Sequence, residues 1–333
     1  MLFRALTIPL HRAVQAGGSV LLQGPRSAGK TTLLRREFPG HIYVSLEDAR
    51  DRSAARADPG AFLARLRGPS ILDDLHRAPE LQDHLARRRA PWPLLLASSR
   101  RLDLPLPTLE LHPPTLAERQ RRAPLRLAML GRYLPAVSGG PAAPWPHRNP
   151  FLERDIPAIV QVRDADRFEE FWAAARTRTA LPLDQQALAR EAGVSHRTVV
   201  RWLAALDACF LTLRLAPADL DFGRRLIRAP KLHFLDAEAF ESAVVSELYR
   251  NARHAGETPD LRYWRDSNGL TVPLVLQSDV ADPVPVAIAA QPTAAETDSV
   301  RRWMKLAGVP HGAVIAESAR PHRRLRWYSR AVL

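Results

Sequence analysis

The sequence predicts an α/β protein: a parallel sheet with helices on both faces, then a small helical module, then a second α/β unit. Three observations carry this class. Apolar runs of strand length alternate with helical stretches from Ser19 to Ser99, the pattern of parallel strands joined by helical crossovers. A glycine-rich turn, Gly24 to Thr31, links the first strand to its helix. Between Phe168 and Cys209 the apolar period is helical, and strand-like alternation returns only after it.

Residues 9 to 16 carry apolar positions at helical spacing and lead into the first strand, Ser19 to Gln23. The turn that follows reads Gly24-Pro25-Arg26-Ser27-Ala28-Gly29-Lys30-Thr31 and fits G-x-x-x-x-G-K-[ST], the phosphate-binding P-loop. Glycines let the backbone curl so that successive N–H groups face phosphate oxygens. The helix from Thr31 to Phe38 adds the partial positive charge of its N-terminus. ATP is therefore the expected ligand, along Gly24 to Thr32. Lys30 is expected to reach the β- and γ-phosphates and Thr31 Oγ to hold Mg²⁺.

A second strand is expected at His41–Leu46, and Asp58-Pro59 starts a helix with Phe62, Leu63 and Leu66 on its apolar face. Ser70-Ile71-Leu72-Asp73-Asp74 is a short apolar strand ending in two carboxylates, the Walker B arrangement of P-loop ATPases. Asp73 would organise Mg²⁺ and its water, and Asp74 would orient the attacking water. A further helix starts near Pro79. Leu94 to Ser99 is another buried strand; Ser98 at its end either senses the γ-phosphate or only forms the turn. All these groups fall at the carboxyl ends of strands, where open α/β sheets bind ligands.

The chain has 333 residues, enough for two or three cored domains, and is 46% hydrophobic, which excludes a disordered chain. Net charge is +13, nearly all from arginine, since Lys30, Lys231 and Lys305 are the only lysines. Arginine suits phosphate and nucleic-acid contacts. It is also what a GC-rich genome produces, so charge alone does not choose. Cys209 is the single cysteine, which fits a reducing compartment. Arg4, His11 and Arg12 break the pattern of a signal peptide, and no apolar run reaches membrane length. A cytoplasmic protein with no membrane contact is expected.

Ala136 to Pro150 holds Gly139-Gly140 and four prolines and reads as a hinge. Arg154 follows it, either as an arginine supplied to a neighbouring subunit's nucleotide or as one half of a structural ion pair. From 167 to 215 the pattern is helix (Phe168, Phe171, Trp172), helix (Leu183–Ala192), the turn Gly193-Val194-Ser195, helix (His196–Cys209), then a strand from Phe210. Val199, Val200, Leu203 and Leu206 are expected to face inward. This order looks like a winged helix-turn-helix. Ser195 would cap the third helix, with His196, Arg197, Thr198 and Arg201 set to touch duplex DNA; the other reading is a module that only packs between domains.

Taken together, the runs Gly24–Leu34, Tyr43–Asp48, Ile71–Leu81, Leu109–Pro113, Leu116–Glu118 and Phe151–Ile156 resemble a widespread prokaryotic family. Its members are AAA-type ATPases with a C-terminal domain like a restriction-endonuclease fold. The family usually carries Asp-Glu where this chain has Asp73-Asp74, which implies slow hydrolysis, since displacement of a catalytic group by about 1 Å can cost on the order of a hundredfold. Lys231–Asp236 and the helix from Phe240 through Glu247 also match. The family's nucleases hold metal with an aspartate on one strand and Glu-x-Lys on the next; here Pro273, Ala287 and Ala289 stand in those places. Glu247 and Asp266 survive. Pro273 removes a ladder donor and predicts a local irregularity.

The resemblance thus implies a P-loop domain at 1–135, a linker at 136–160, a winged-helix module at 161–217 and a degenerate nuclease-like domain at 218–333. The function implied is an ATP- and Mg²⁺-binding switch with weak ATPase activity, with duplex DNA, a protein partner or a second copy of the chain as candidate partners. The alternative is a DNA-binding regulator in which ATP is only a ligand. The arginine-rich end (Arg320, Arg323, Arg324, Arg326 and Arg330, with Trp327 and Tyr328) is either a nucleic-acid surface or a solvated strand.

Overall fold

The computed structural model describes residues 3–87, 92–119, 165–236, 239–277, 282–316 and, as backbone, 325–329. The expected hinge, Arg154 and most of the arginine-rich end lie outside them. Among the described residues no helix is long and apolar enough to cross a membrane.

The first unit is built on β1 (Val20–Gln23), β2 (Ile42–Ser45), β3 (Ser70–Asp73), β4 (Leu94–Ser98) and β5 (Thr108–Glu110). They form an all-parallel sheet in the order β2-β3-β4-β1-β5. Every residue of β1, β3 and β4 is buried, as expected for strands covered on both faces. Alternation assigns the faces. Val20, Leu22, Ile71, Leu95 and Ala97 pack on α1 (Thr7–Gln15) and α2 (Lys30–Glu37). Leu21, Leu72, Leu94 and Leu96 pack on α4 (Pro59–Ala64) and α5 (Leu81–Arg87). Asp58 accepts from the Ala61 N–H at 2.9 Å and so caps α4, as expected. A helix the sequence did not reveal, α3 (Ala49–Ala57), precedes it. Its one buried residue is Ala55, so it has no apolar period to read; Asp48 nucleates it by accepting from Arg50 and Asp51 N–H. The unit closes with α6 (Leu116–Arg119).

The middle unit runs α7 (Ala165–Thr177), β6 (Leu181–Pro182), α8 (Gln185–Glu191), α9 (His196–Ala208), β7 (Thr212–Pro217) and β8 (Lys231–Phe234). Ser195 caps α9 through the Thr198 N–H at 3.1 Å. Two expectations are corrected. Val200 is 40% exposed, because the inward stripe is Val199, Trp202, Leu203 and Leu206, the positions that share one helical face. Phe210 has φ 60° and turns the chain, so the strand starts at Thr212.

The last unit runs α10 (Phe240–His254), β9 (Asp260–Arg265), β10 (Thr271–Gln277), β11 (Val284–Ile288), α11 (Ala294–Ala307), β12 (Gly312–Ala316) and β13 (Leu325–Ser329). Strands β9, β10 and β11 form an antiparallel meander; α11 crosses to β12, which lies parallel to β11. The β9–β10 register shifts between Val272 and Val275, the irregularity expected at Pro273. The expected boundary between residues 217 and 218 falls inside a continuous sheet. Strand β7 pairs antiparallel with β8 and parallel with β9, giving the order β13-β12-β11-β10-β9-β7-β8-β6.

A buried polar seam joins the first unit to α10. Arg4 donates to the Ala28 carbonyl at 2.9 Å and the His112 carbonyl at 2.5 Å, with its Nε 3.4 Å from Glu118. Glu118 also accepts from Ala5 N–H at 2.7 Å and Thr115 N–H at 3.0 Å, and lies 3.2 Å from His254 Nδ1. Glu110 accepts from Arg101, Arg253 and the Tyr249 hydroxyl. Glu247 of α10 accepts from the Leu116 N–H.

This seam makes stability depend on pH in two steps. Burial lowers the His112 pKa from 6.5 to about 4, against the pull of Glu110. The unfolded chain then binds a proton that the fold excludes, so stability falls as pH drops from 6.5 towards 4. Burial raises the Glu118 carboxyl, but the His254 ring, Arg4 and the Thr115 N–H outweigh it and bring it from 4.5 down to about 2. Its contribution is complete above pH 4.5 and is lost as pH falls towards 2. Urea midpoints measured against pH are expected to fall in both ranges. His112→Gln is expected to reduce the upper slope, with buried His254 and His233 keeping the remainder, and to leave the lower range; an unchanged upper slope would refute the assignment.

Candidate functional site

The loop between β1 and α2 owes its path to backbone freedom at two glycines. Gly24 has φ 152°, and a Cβ there would sit 1.9 Å from the Leu111 carbonyl oxygen. That contact is with backbone, so no side-chain shift relieves it. Gly29 has φ 93° at the start of α2, and Ser27 between them has φ 61°. Pro25, Ala28 and Lys30 are buried, Arg26 is half-buried, and Ser27 and Thr32 are exposed. Lys30 Nζ donates to the carbonyls of Gly24 and Pro25, both at 2.8 Å, which holds the ammonium inside the curl.

The carboxyl end of β3 lies against this loop. Asp73 Oδ2 accepts from Thr31 Oγ1 at 2.5 Å and from the Tyr43 hydroxyl at 3.1 Å. Its Oδ1 accepts from the Asp74 N–H at 2.8 Å. The structure therefore brings Thr31 and Asp73 into contact, with Lys30 held in the adjoining loop. Hydroxyl and carboxylate oxygens are the hard donors that Mg²⁺ takes, so the residues present fit that ion. Asp74 has φ 58° and leads the turn Leu75–Arg77. Burial, then the charge of Asp73, raises its pKa, with Arg77 opposing.

Ser98 is buried at the end of β4, and its carbonyl accepts from the Gly24 N–H at 3.2 Å. Its hydroxyl donates to the Arg100 carbonyl at 2.6 Å and accepts from the Arg100 N–H at 3.1 Å. The side chain thus closes the turn. The neighbouring Ser99 N–H donates to His76 Nδ1 at 3.4 Å, tying β4 to the turn that carries Asp74.

The residues proposed for DNA lie apart from this site, on the middle unit. His196, Arg197 and Arg201 are exposed and Thr198 is half-buried. His196 Nε2 sits 2.9 Å from Gln185 Oε1. Sequence reasoning missed Arg4, which binds the back of the loop, and Tyr43, which binds Asp73. For Arg4 no local signal existed. For Tyr43 the signal was a tyrosine one pleat behind Ser45, the β2 partner of Asp73.

Comparison with known proteins agrees with this geometry. Residues 17–106 match a family described as an AAA domain, and residues 149–238 match a domain of unknown function, DUF8612. Uncharacterized proteins of Mycobacterium bovis and Mycobacterium tuberculosis are each 29% identical to the chain over 247 residues. The match covers 68% of this chain and 56% of each relative, so the chain spans little more than half their length. Residues 17–106 are thus similar to an AAA domain, a likeness that implies nucleotide binding.

Proposed function

We propose that the chain is an ATP-dependent switch: it binds ATP with Mg²⁺, hydrolyses it slowly, and passes the bound state to its C-terminal half. The observation that carries this reading is the convergence of Lys30, Thr31 and Asp73 where β1 and β3 end. Lys30 would face the β- and γ-phosphates, and the loop N–H groups from Gly24 to Thr32 would cradle them. Thr31 and Asp73 would hold Mg²⁺, which when bound neutralises charge on the phosphates. Asp74, with its raised pKa, is suited to take a proton from an attacking water. Ser98 and Arg154 are secondary candidates for contact with the γ-phosphate.

The order of elements in the middle unit supports a winged helix, and α10-β9-β10-β11-α11-β12 supports a nuclease-like shell. We assign that shell no cleavage chemistry. Pro273, Ala287 and Ala289 offer no metal ligand. Glu247 is spent on the Leu116 N–H; Asp266 is spent on the Asn268 and Leu270 N–H groups and on Arg224.

A second reading, a DNA-binding regulator with ATP as ligand, is favoured by the exposed Arg197 and Arg201 on α9. The β7–β8 connection counts against a free wing, because Trp264 Nε1 donates to the Leu220 carbonyl at 2.6 Å and Phe222 packs on Trp303.

Three outcomes are expected. ATP with Mg²⁺ raises the melting temperature of the wild type, by about 2.7 kcal/mol of stability at a hundred times Kd, and Lys30→Ala abolishes the shift. Equal shifts in both proteins would overturn the site. Asp74→Glu raises the slow hydrolysis rate, though the left-handed backbone there makes glutamate costlier by ~1 kcal/mol; an unchanged rate with intact binding means Asp74 does not limit turnover. If duplex DNA binds, Arg197→Ala with Arg201→Ala lowers affinity and flattens the salt slope by about 0.9 for each phosphate no longer neutralised; an unaltered slope excludes α9.

A further inference from the structure

We infer that Tyr43 is a positioning residue for Mg²⁺: its hydroxyl fixes the Asp73 carboxylate in the orientation that organises the ion, an inference that rests on the nucleotide-site reading above. Tyr43 lies on β2, the edge strand of the first sheet, and is 38% exposed. Its hydroxyl nevertheless reaches inward to Asp73, which is only 4% exposed, and donates to Oδ2 at 3.1 Å.

The register explains why this residue makes the contact. Ser45 is the β2 partner of Asp73, and Tyr43 pairs with Ile71. Residues 43 and 45 share a face of the strand. Ser45 Oγ accepts from the Glu47 N–H at 3.2 Å, while the longer phenol one pleat back spans the distance to the carboxylate. The ring is held from the other side by α2: the Arg35 guanidinium lies 4.8 Å from its centroid, a cation–π contact. Tyr43 thus bridges the helix that carries Thr31 and the strand that carries Asp73.

Three donors now define the Asp73 carboxylate: Thr31 and Tyr43 on Oδ2, and the Asp74 N–H on Oδ1. Thr31 gives its proton to Asp73, which leaves its oxygen lone pairs available to a cation. The backbone N–H cannot be removed by a side-chain change, and Thr31 is itself a candidate ligand. Tyr43 is the donor whose role is purely orienting. Partners that orient a metal's ligands in this way typically contribute ~10–100-fold to metal affinity.

Tyr43→Phe isolates the hydroxyl, because it keeps the ring and its contact with Arg35. Binding of a fluorescent ATP analogue is measured first without metal and then across a Mg²⁺ titration, with thermal shifts in parallel. Metal-free affinity is expected to match the wild type, and the unliganded melting temperature to fall modestly through loss of one hydrogen bond to a buried carboxylate. The Mg²⁺ concentration for half-maximal stabilisation of the bound nucleotide is expected to rise by ~10–100-fold. The same half-saturation in both proteins would overturn the role of Tyr43 while leaving the nucleotide site intact. No magnesium-dependent shift in the wild type would overturn the nucleotide-site reading, and this inference with it. If Tyr43→Phe melts lower, the analogue titration at reduced temperature still decides between these outcomes.

Discussion

The Arg4 guanidinium is the contact on which the rest of the arrangement depends. A buried arginine keeps its charge at every physiological pH, so its donors must all find acceptors. Arg4 finds them in three separate parts of the chain: the Ala28 carbonyl inside the P-loop, the His112 carbonyl beyond β5, and Glu118 at α6. Removing one partner of such a buried pair costs about 3–5 kcal/mol, because the other charge stays behind unpaired. The P-loop is therefore not a loop resting on one strand and one helix. Its back is lashed to the segment that meets α10. His254 completes the path: Nε2 accepts from the His112 N–H at 3.0 Å while Nδ1 faces Glu118. These bonds form a continuous chain of contacts from Ala28 in the first unit to α10 in the last.

The same logic extends to the last unit, whose buried carboxylates serve the fold. Glu247 docks α6 onto α10, and Asp266 closes the β9–β10 turn while pairing with Arg224. Strand β7 belongs at once to the middle unit and to the last sheet. The connection from β7 to β8 supplies Leu220, Phe222 and Leu226 to a core with Trp264 and Trp303. Deleting the last unit would strip apolar cover from the middle unit and take Tyr249, Arg253 and His254 away from the carboxylates of the first unit.

What could be read from the sequence was local. The P-loop, the Asp73 strand, the caps at Asp58 and Ser195, and the disturbance at Pro273 each depend on residues a few positions apart. The polar seam could not be read, because Arg4 and Glu118, or Glu110 and Tyr249, meet only through the fold. Helix α3 offers no apolar stripe to read, and Val200 departs from expectation because the inward face of α9 is centred on Val199, Trp202, Leu203 and Leu206, which leaves position 200 beyond its edge. The boundary expected after residue 217 came from the resemblance; in the structure β7, which ends there, pairs on both of its edges.

The short carboxylate at position 74 has its own physical reason. Its backbone is left-handed, with φ 58° and ψ 37°. Among non-glycine residues, asparagine and aspartate are the ones that visit this region most readily, because a short polar side chain relieves the crowding there. A glutamate has no such relief. Asp73 takes three donors, while Asp74 meets burial and its neighbour's charge with mainly Arg77 in opposition. Two adjacent carboxylates are thereby given different environments: one accepts from three donors, and the other is left with a raised affinity for a proton. The turn that follows β3 and separates them is the same turn that disfavours a longer side chain, so the backbone geometry at residue 74 sets both the difference in environment and the reach of the second carboxylate.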